Sequence, residues 1–137
     1  MVDYLNKYGY TLDREAIGRA LDIIAANLEN VASDQVYKEC FSMMDLTTLK
    51  TDDTPASVTK LVEKVNAFQQ TRPEWPLPAS VCVYPNFAAT VKAARKCGFN
   101  ITVVSACFPS SQSFLEVKLK ECELAVEQGA DEVDIVL

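Results

Sequence analysis

The chain has 137 residues, of which 49% are hydrophobic, a formal net charge of −6 and no histidine. Its length suits one domain with a sizeable core and is short for a closed barrel of eight strand–helix units. The acidic balance disfavours a nucleic-acid partner, no run approaches the roughly 18 apolar residues of a membrane span, and the lack of histidine excludes Ser-His-Asp and Cys-His triads.

The first predicted elements are helical and form an N-terminal helical extension over residues 1–39. From about Thr11–Asp13 to Val31, apolar residues recur at helical spacing, which predicts a helix packed across one end of the part that follows. The first seven residues lack the charged and apolar regions of a secretory signal. A second helix is predicted from Ser33 to about Phe41.

Strands and helices alternate through the rest of the chain, residues 40–137. Short apolar runs bounded by proline, glycine or threonine predict the strands. The four predicted strands are Met43–Leu49 (passing into a loop), Ser80–Tyr84, Ile101–Cys107 and Glu132–Leu137. The last one reads as apolar on both faces, which is typical of a strand inside a parallel sheet. We therefore expect further chain or a partner to cover it.

Three helices are predicted between these strands from their start and stop signals. The starts are Thr54 before Pro55, Asn86 as an N-cap, and a capping box of Ser113 with Glu116; the ends are Gly98 and Gly129. The first of these helices carries a stripe of apolar residues, from Val58 to Phe68.

Strict alternation of strand and helix implies right-handed crossovers and an α/β fold with a parallel sheet. A flavodoxin-like open sheet and part of a (β/α)₈ barrel both satisfy this pattern, and periodicity alone does not choose between them. No glycine-rich phosphate loop follows the first strands, which counts against nucleotide binding.

Functional groups in parallel α/β folds gather at the carboxyl ends of the strands. Asp134 stands out because it lies inside a strand, a position that desolvates a carboxylate unless a cation or hydrogen bonds compensate. The alternatives are an Asp134 that faces solvent on an edge strand or pairs with arginine. Asp45 has a similar apolar context, with a capped turn as its alternative, and we expect both carboxylates near the same sheet end. The other strand-end candidates are Thr47, Thr48, Cys82, Tyr84, Ser105 and Cys107.

The five cysteines are odd in number and form no CxxC pair, which predicts free thiols in a reducing compartment, the cytoplasm. Cys82 reads as a small core residue rather than a nucleophile, because no histidine can activate it. None of the nine lysines lies in a predicted strand. Lys50 alone lies near a strand's carboxyl end, where a solvated loop lysine is the simplest description.

Four motifs resemble deoxyribose-phosphate aldolase in their order and approximate spacing. They are Met44–Leu49, Val81–Pro85, Phe108–Pro109 and Gly129–Val136. The resemblance runs from about residue 40 to the end of the chain, and its last motif is the most specific. It implies a (β/α)₈ (TIM) barrel, of which residues 40–137 would form the first four strands, a half barrel.

The resemblance also implies a class I aldolase, which reversibly cleaves 2-deoxyribose 5-phosphate into glyceraldehyde 3-phosphate and acetaldehyde through a lysine Schiff base, without a metal or other cofactor. Asp134 matches an aspartate that helps proton transfer around the Schiff base. Asp45 and Thr47 match residues near the substrate, and Cys82 matches a cysteine that lines the pocket. The family's Schiff-base lysine, its tuning lysine and its phosphate-binding loops match positions beyond Leu137, so we expect the chain alone to be inactive.

Three hypotheses about function follow: an aldolase half, a non-enzymatic self-associating half-barrel module, and a flavodoxin-like binding domain. A half barrel would expose two parallel-sheet edges and an apolar inner face, so we expect a homo-oligomer or a complementing C-terminal half. The small-molecule partner implied by the family is a sugar phosphate, and neither nucleic acid nor a membrane is expected.

Overall fold

The computed structural model describes residues 3–136 and divides the chain into two compact units, Met1–Tyr37 and Lys38–Leu137. The first unit contains the short helices α1 (Tyr4–Lys7), α2 (Arg14–Ala26) and α3 (Leu28–Val31). Among the described residues of these helices none is buried. No helix within residues 3–136 is long and apolar enough to cross a membrane.

The start of α2 follows the prediction, and its end does not. Asp13 is the N-cap, and its carboxylate accepts a hydrogen bond from the Ala16 N–H at 2.9 Å. The predicted helix to Val31 is interrupted at Asn27, which separates α2 from α3. Helix α1 was not predicted, because its four residues are too few to show a helical period.

The second unit alternates strands and helices after α4 (Asp34–Ser42), which crosses the boundary between the units. Its elements are β1 (Asp45–Thr47), α5 (Pro55–Thr71), β2 (Ser80–Val83), α6 (Ala88–Ala94), β3 (Asn100–Ser105), α7 (Leu115–Glu127) and β4 (Glu132–Ile135). A 3₁₀ turn over Pro85–Phe87 leads into α6. All four predicted strands and all three joining helices are present.

The four strands form one parallel sheet in the order β1-β2-β3-β4. A doubly wound sheet such as that of flavodoxin places its first strand inside the sheet, at a switch point where the strand order reverses. Here each strand lies beside the next one in sequence, as in a barrel. The order of the strands therefore separates the two architectures that periodicity left open.

Helices cover one face of this sheet, the outer face, and the core lies between them. The outward-facing side chains of β2 and β3, such as Val81 and Ile101, are fully buried. They pack with the apolar side of α5, including Val58 and Val62, and with Val91 of α6. The helical stripe predicted for α5 is thus its core-facing side.

Two of the predicted helix signals are well formed. The Thr54 hydroxyl accepts from the Ser57 N–H at 3.1 Å, and the Ser57 hydroxyl accepts from the Thr54 N–H at 2.9 Å. After α7, Gly129 has φ +100°, its N–H bonds the Val126 carbonyl, and the Ala130 N–H bonds the carbonyl of residue 125. This pair of bonds is the Schellman ending that glycine favours.

The other predicted helix signals are wrong. Asn86 lies in the 3₁₀ turn and does not cap α6, whose N-cap is Phe87. Helix α6 ends at Ala94 rather than near Gly98, because the Asn66 side chain bonds the Ala94 carbonyl and the N–H of residue 96. Ser113 does not cap α7, because the helix begins one residue later than predicted, with Phe114 as its N-cap.

Candidate active site

The opposite face of the sheet, the inner face, is lined mainly by polar side chains. Strand alternation and register place there Asp45, Thr47, Ser80, Cys82, Asn100, Thr102, Val104, Glu132 and Asp134. The prediction of an apolar inner face is therefore wrong. The last strand is also not apolar on both faces, because residues in a strand alternate: Val133 packs against the core, and Glu132 and Asp134 lie on the other side.

Asp45 is bonded to the neighbouring strand. Ser80 is fully buried, and its hydroxyl donates to Asp45 Oδ1 at 2.7 Å. Asp45 lies in register with Ser80 and, through it, with Asn100, whereas Asp134 lies beside Val104. Those two positions on β3 are four residues, about 13 Å, apart along the strand. The two aspartates are therefore offset along the strand direction, because Asp45 begins β1 and Asp134 lies near the end of β4.

Cys82 lies between these two levels of the inner face and is 3% exposed. Burial raises the pKa of the Cys82 thiol, and the negative charges of Asp45, Asp134 and Glu132 raise it further, against the opposing effect of a hydrogen bond with Thr47. A thiol in this environment is neutral near pH 7. This agrees with the interpretation of Cys82 as a packed residue and not a nucleophile.

Glu132 is an inner-face residue that the sequence reasoning missed. Its carboxylate accepts from Asn100 Nδ2 at 2.8 Å and from the Thr102 hydroxyl, which ties β4 to β3. The spacing of two residues between Glu132 and Asp134 was the available signal, because strand residues at i and i+2 share a face.

Asp134 is exposed on β4, an edge strand of the sheet formed by the described residues. The expectation of a desolvated carboxylate is wrong here, and the alternative of a solvent-facing residue on an edge strand is what the structure shows. The physical reason is that nothing in the described chain lies beyond β4 to exclude water from this side chain.

The loop between β1 and α5 is organised around Asp53, another residue that was not predicted. Asp53 accepts from the Thr48 hydroxyl at 2.8 Å and the Lys50 N–H at 2.9 Å, and from the Ser57 hydroxyl at 3.2 Å. Burial alone would raise the pKa of Asp53, but these hydrogen bonds outweigh it and hold the pKa below its usual value. Thr48 thus has a structural partner, and Lys50 is an exposed loop residue, as predicted.

The remaining strand-end candidates do not share the inner face. Ser105 follows Val103 on the outer side, where it is buried and its hydroxyl has no hydrogen-bond partner among the described residues. The Tyr84 hydroxyl donates to the Leu49 carbonyl at 3.3 Å, which fits a residue that packs the end of β2. Cys107 lies in the loop that follows β3.

The described lysines all lie on helices or in loops, and none lies on a strand. Within residues 3–136, no three His, Cys, Asp or Glu side chains come together in a way that could hold a metal ion. The inner face therefore presents carboxylates, hydroxyls and a thiol, groups that accept or donate protons and orient a polar ligand.

Consecutive parallel strands, helices on one face and polar groups on the other define a piece of a (β/α)₈ barrel. The structural comparison agrees. A tetrameric deoxyribose phosphate aldolase from Aeropyrum pernix aligns with a TM-score of 0.63 and 27% identity, over 85% of this chain and 45% of that one. A protein from Coccidioides immitis aligns with a TM-score of 0.61 over 93% of this chain, and at 18% identity it supports the fold alone.

Sequence comparison finds relatives that are named as deoxyribose-phosphate aldolases. A Caenorhabditis elegans protein provisionally named deoxyribose-phosphate aldolase is 36% identical over 132 residues, which are 94% of this chain and 43% of that protein. Human deoxyribose-phosphate aldolase is 37% identical over 107 residues, which are 70% of this chain and 34% of the human protein. No family model matches the chain. The chain is a relative of the deoxyribose-phosphate aldolases and spans less than half of their length.

Proposed function

We propose that this chain forms the N-terminal half of a class I aldolase that reversibly cleaves 2-deoxyribose 5-phosphate into glyceraldehyde 3-phosphate and acetaldehyde. Residues 1–39 would be a helical extension and residues 40–137 the half barrel. The observation that carries the proposal is that the four motif-matched residues share the inner face of the sheet. They are Asp45, Thr47, Cys82 and Asp134.

In this proposal the inner face supplies proton transfer and substrate contacts. Asp134 is the proton relay, and its exposed carboxylate on β4 is free to face a group on the next strand of a barrel. Asp45 and Thr47 contact the substrate, and Cys82 lines its pocket as a neutral thiol. No cofactor is needed.

The nucleophile would come from outside these 137 residues. In the completed site a lysine amine attacks the substrate carbonyl, and the adduct loses water to give an iminium. The iminium then accepts the electron pair of the breaking carbon–carbon bond. The described lysines lie on helices and loops, and none lies on a strand of the sheet. We therefore expect the chain alone to be inactive. We also propose a cytoplasmic location, which would keep its thiols reduced.

The proposal can be tested with a chimera of the human enzyme. In it, the segment of the human enzyme that aligns with residues 38–137 of this chain is replaced by those residues. We expect the chimera to cleave 2-deoxyribose 5-phosphate, and borohydride to trap a substrate carbon chain on one lysine of the human part. Asp134→Asn in the chimera should lower kcat by about 10²- to 10⁴-fold, the loss typical for a general acid–base group. The 137-residue chain alone should show neither cleavage nor trapping.

The human enzyme under the same assay is the positive control. A chimera that unfolds cooperatively but does not cleave the substrate would count against the proposal, as would full activity of its Asp134→Asn variant. Turnover by the 137-residue chain alone would contradict the proposed inactivity.

A second candidate is a non-enzymatic self-associating module, which the two open sheet edges, β1 and β4, favour. On α7, the large apolar residues Leu115, Leu119 and Val126 are also exposed. Closure of two copies on each other would, however, bring Glu132 and Asp134 of one copy beside Asp45 of the other. Light scattering at micromolar concentration decides: a dimer supports the module, and a monodisperse monomer rejects it.

A further inference from the structure

The loop that follows β3, residues 106–113, has an unusual backbone. Three non-glycine residues in it have left-handed φ angles: Ala106 at 57°, Cys107 at 59° and Ser111 at 54°. Within the described chain these are the only non-glycine residues with positive φ. A Cβ disfavours this conformation, which persists where the surroundings impose it and is often found at binding sites.

Two side chains of α7 hold two of these three residues. Glu121 Oε2 accepts a hydrogen bond from the Cys107 N–H at 2.8 Å, and Lys118 Nζ donates to the Ser111 hydroxyl at 2.6 Å. Glu121 and Lys118 are three residues apart, so they lie on the same side of the helix. The Ser111 N–H also bonds the Cys107 carbonyl at 3.0 Å, so the loop is fixed at both points.

Two of the three left-handed residues, Ala106 and Ser111, are buried, but the loop lies apart from the main core cluster. None of the three left-handed residues belongs to the core cluster on the outer face. Instead, the loop leaves the carboxyl end of β3, where Ser105 pairs with Ile135, the residue after Asp134. In barrels of this kind the loops at the carboxyl ends of the strands form the substrate site.

We propose that Glu121 and Lys118 are positioning residues that hold the 106–113 loop as a preformed wall of the sugar-phosphate site beside Asp134. The inference rests on the proposed function, because the aldolase reaction makes this end of the sheet the substrate side. In this proposal α7 imposes a conformation that the loop residues would not adopt by themselves.

The first test is amide hydrogen exchange of the 137-residue chain, resolved by NMR at Cys107 and its neighbours. Glu121→Ala should accelerate exchange of the Cys107 amide about ten- to a hundredfold, because the amide loses a charged acceptor. Glu121→Gln should restore most of the protection, because its amide oxygen can still accept. The matched control is Glu123→Ala on the same helix. Its carboxylate pairs with Lys120 at the surface, so the substitution should leave the loop unchanged.

The second test uses the human chimera and separates this inference from the proposed function. Glu121→Ala should raise the KM for 2-deoxyribose 5-phosphate several-fold with a smaller change in kcat, and Glu121→Gln should return KM toward the parent value. Unchanged exchange, or an unchanged KM in an active chimera, overturns the positioning role. A parent chimera that unfolds cooperatively but is inactive overturns the proposed function, while the exchange result still decides whether α7 holds the loop.

Discussion

The two faces of the sheet differ in the polarity of their side chains and in how far those side chains are exposed. On the outer face, valines and isoleucine such as Val81 and Ile101 are fully removed from water and packed against helices. On the inner face, Asp45, Glu132 and Asp134 remain exposed. Burial of apolar area stabilises the fold, whereas exposed charges contribute little to stability. The stability of this unit therefore comes mainly from the outer face, and the exposed carboxylates of the inner face are free to carry chemistry.

The largest expected effect on the free energy of unfolding comes from a substitution on the outer face. Ile101→Ala removes a fully buried side chain between β3 and the helices and should lower the free energy of unfolding by about 2–5 kcal/mol. Thr102→Val, on the same strand but the inner face, should change it by less than about 1 kcal/mol, because Asn100 still bonds Glu132. Urea unfolding measures both. Equal losses would mean that the two faces do not divide the roles.

A smaller effect is expected at the turn that connects α7 to β4. Gly129→Ala should cost about 1–2 kcal/mol, because φ is +100° and the added Cβ would lie 2.5 Å from Lys92 Cδ. Gly98→Ala is the matched control, since it has no positive φ and no atom within 4 Å of the added Cβ. It should be neutral or slightly stabilising. Thermal unfolding compares the two, and a loss at Gly98 as large as at Gly129 would contradict the argument.

A smaller, pH-dependent effect is expected at the amino end of β3 and β4, where solvent partly screens the charge of the exposed Asp131 side chain. Asp131 accepts from the Ile101 N–H at 2.9 Å and pairs with Arg95 at 2.7 Å, and these contacts lower its pKa. Because the folded pKa lies below the unfolded value of about 3.9, the stabilisation is present above that value and is lost as the pH falls through the folded pKa.

Asp131→Asn should therefore be less stable than the parent at pH 7, and the difference should shrink below about pH 4. Urea midpoints from pH 7 to pH 3 test this. Glu123→Gln is the control, because its pair with Lys120 is exposed. A difference between Asp131→Asn and the parent that is independent of pH would mean that the charge of Asp131 is not what stabilises the fold.

Local signals predicted most of the fold, and a contact distant in sequence explains one of their failures. Val58 and Val62 follow a helical period and lie in the core, and Gly129 ends α7, because both features depend on neighbouring residues alone. The predicted end of α6 was wrong because the Asn66 side chain, about thirty residues earlier in the sequence, bonds the backbone where the helix ends. The inner-face cluster was predicted in part: Asp45, Cys82 and Asp134 were named, but not Ser80 or Glu132, whose roles depend on strand register.

The smallest expected effect on the free energy of unfolding comes from a substitution on the inner face. Asp134→Asn should change the free energy of unfolding of the 137-residue chain by no more than about 0.5 kcal/mol, because the carboxylate is exposed on an edge strand. Urea unfolding at pH 7 measures it against Val133→Ala, the adjacent residue that packs against the core and should cost more. A large loss for Asp134→Asn would show that the carboxylate supports the sheet. A negligible loss means that stability does not require aspartate at this position, which leaves its place on the inner face to be explained by chemistry.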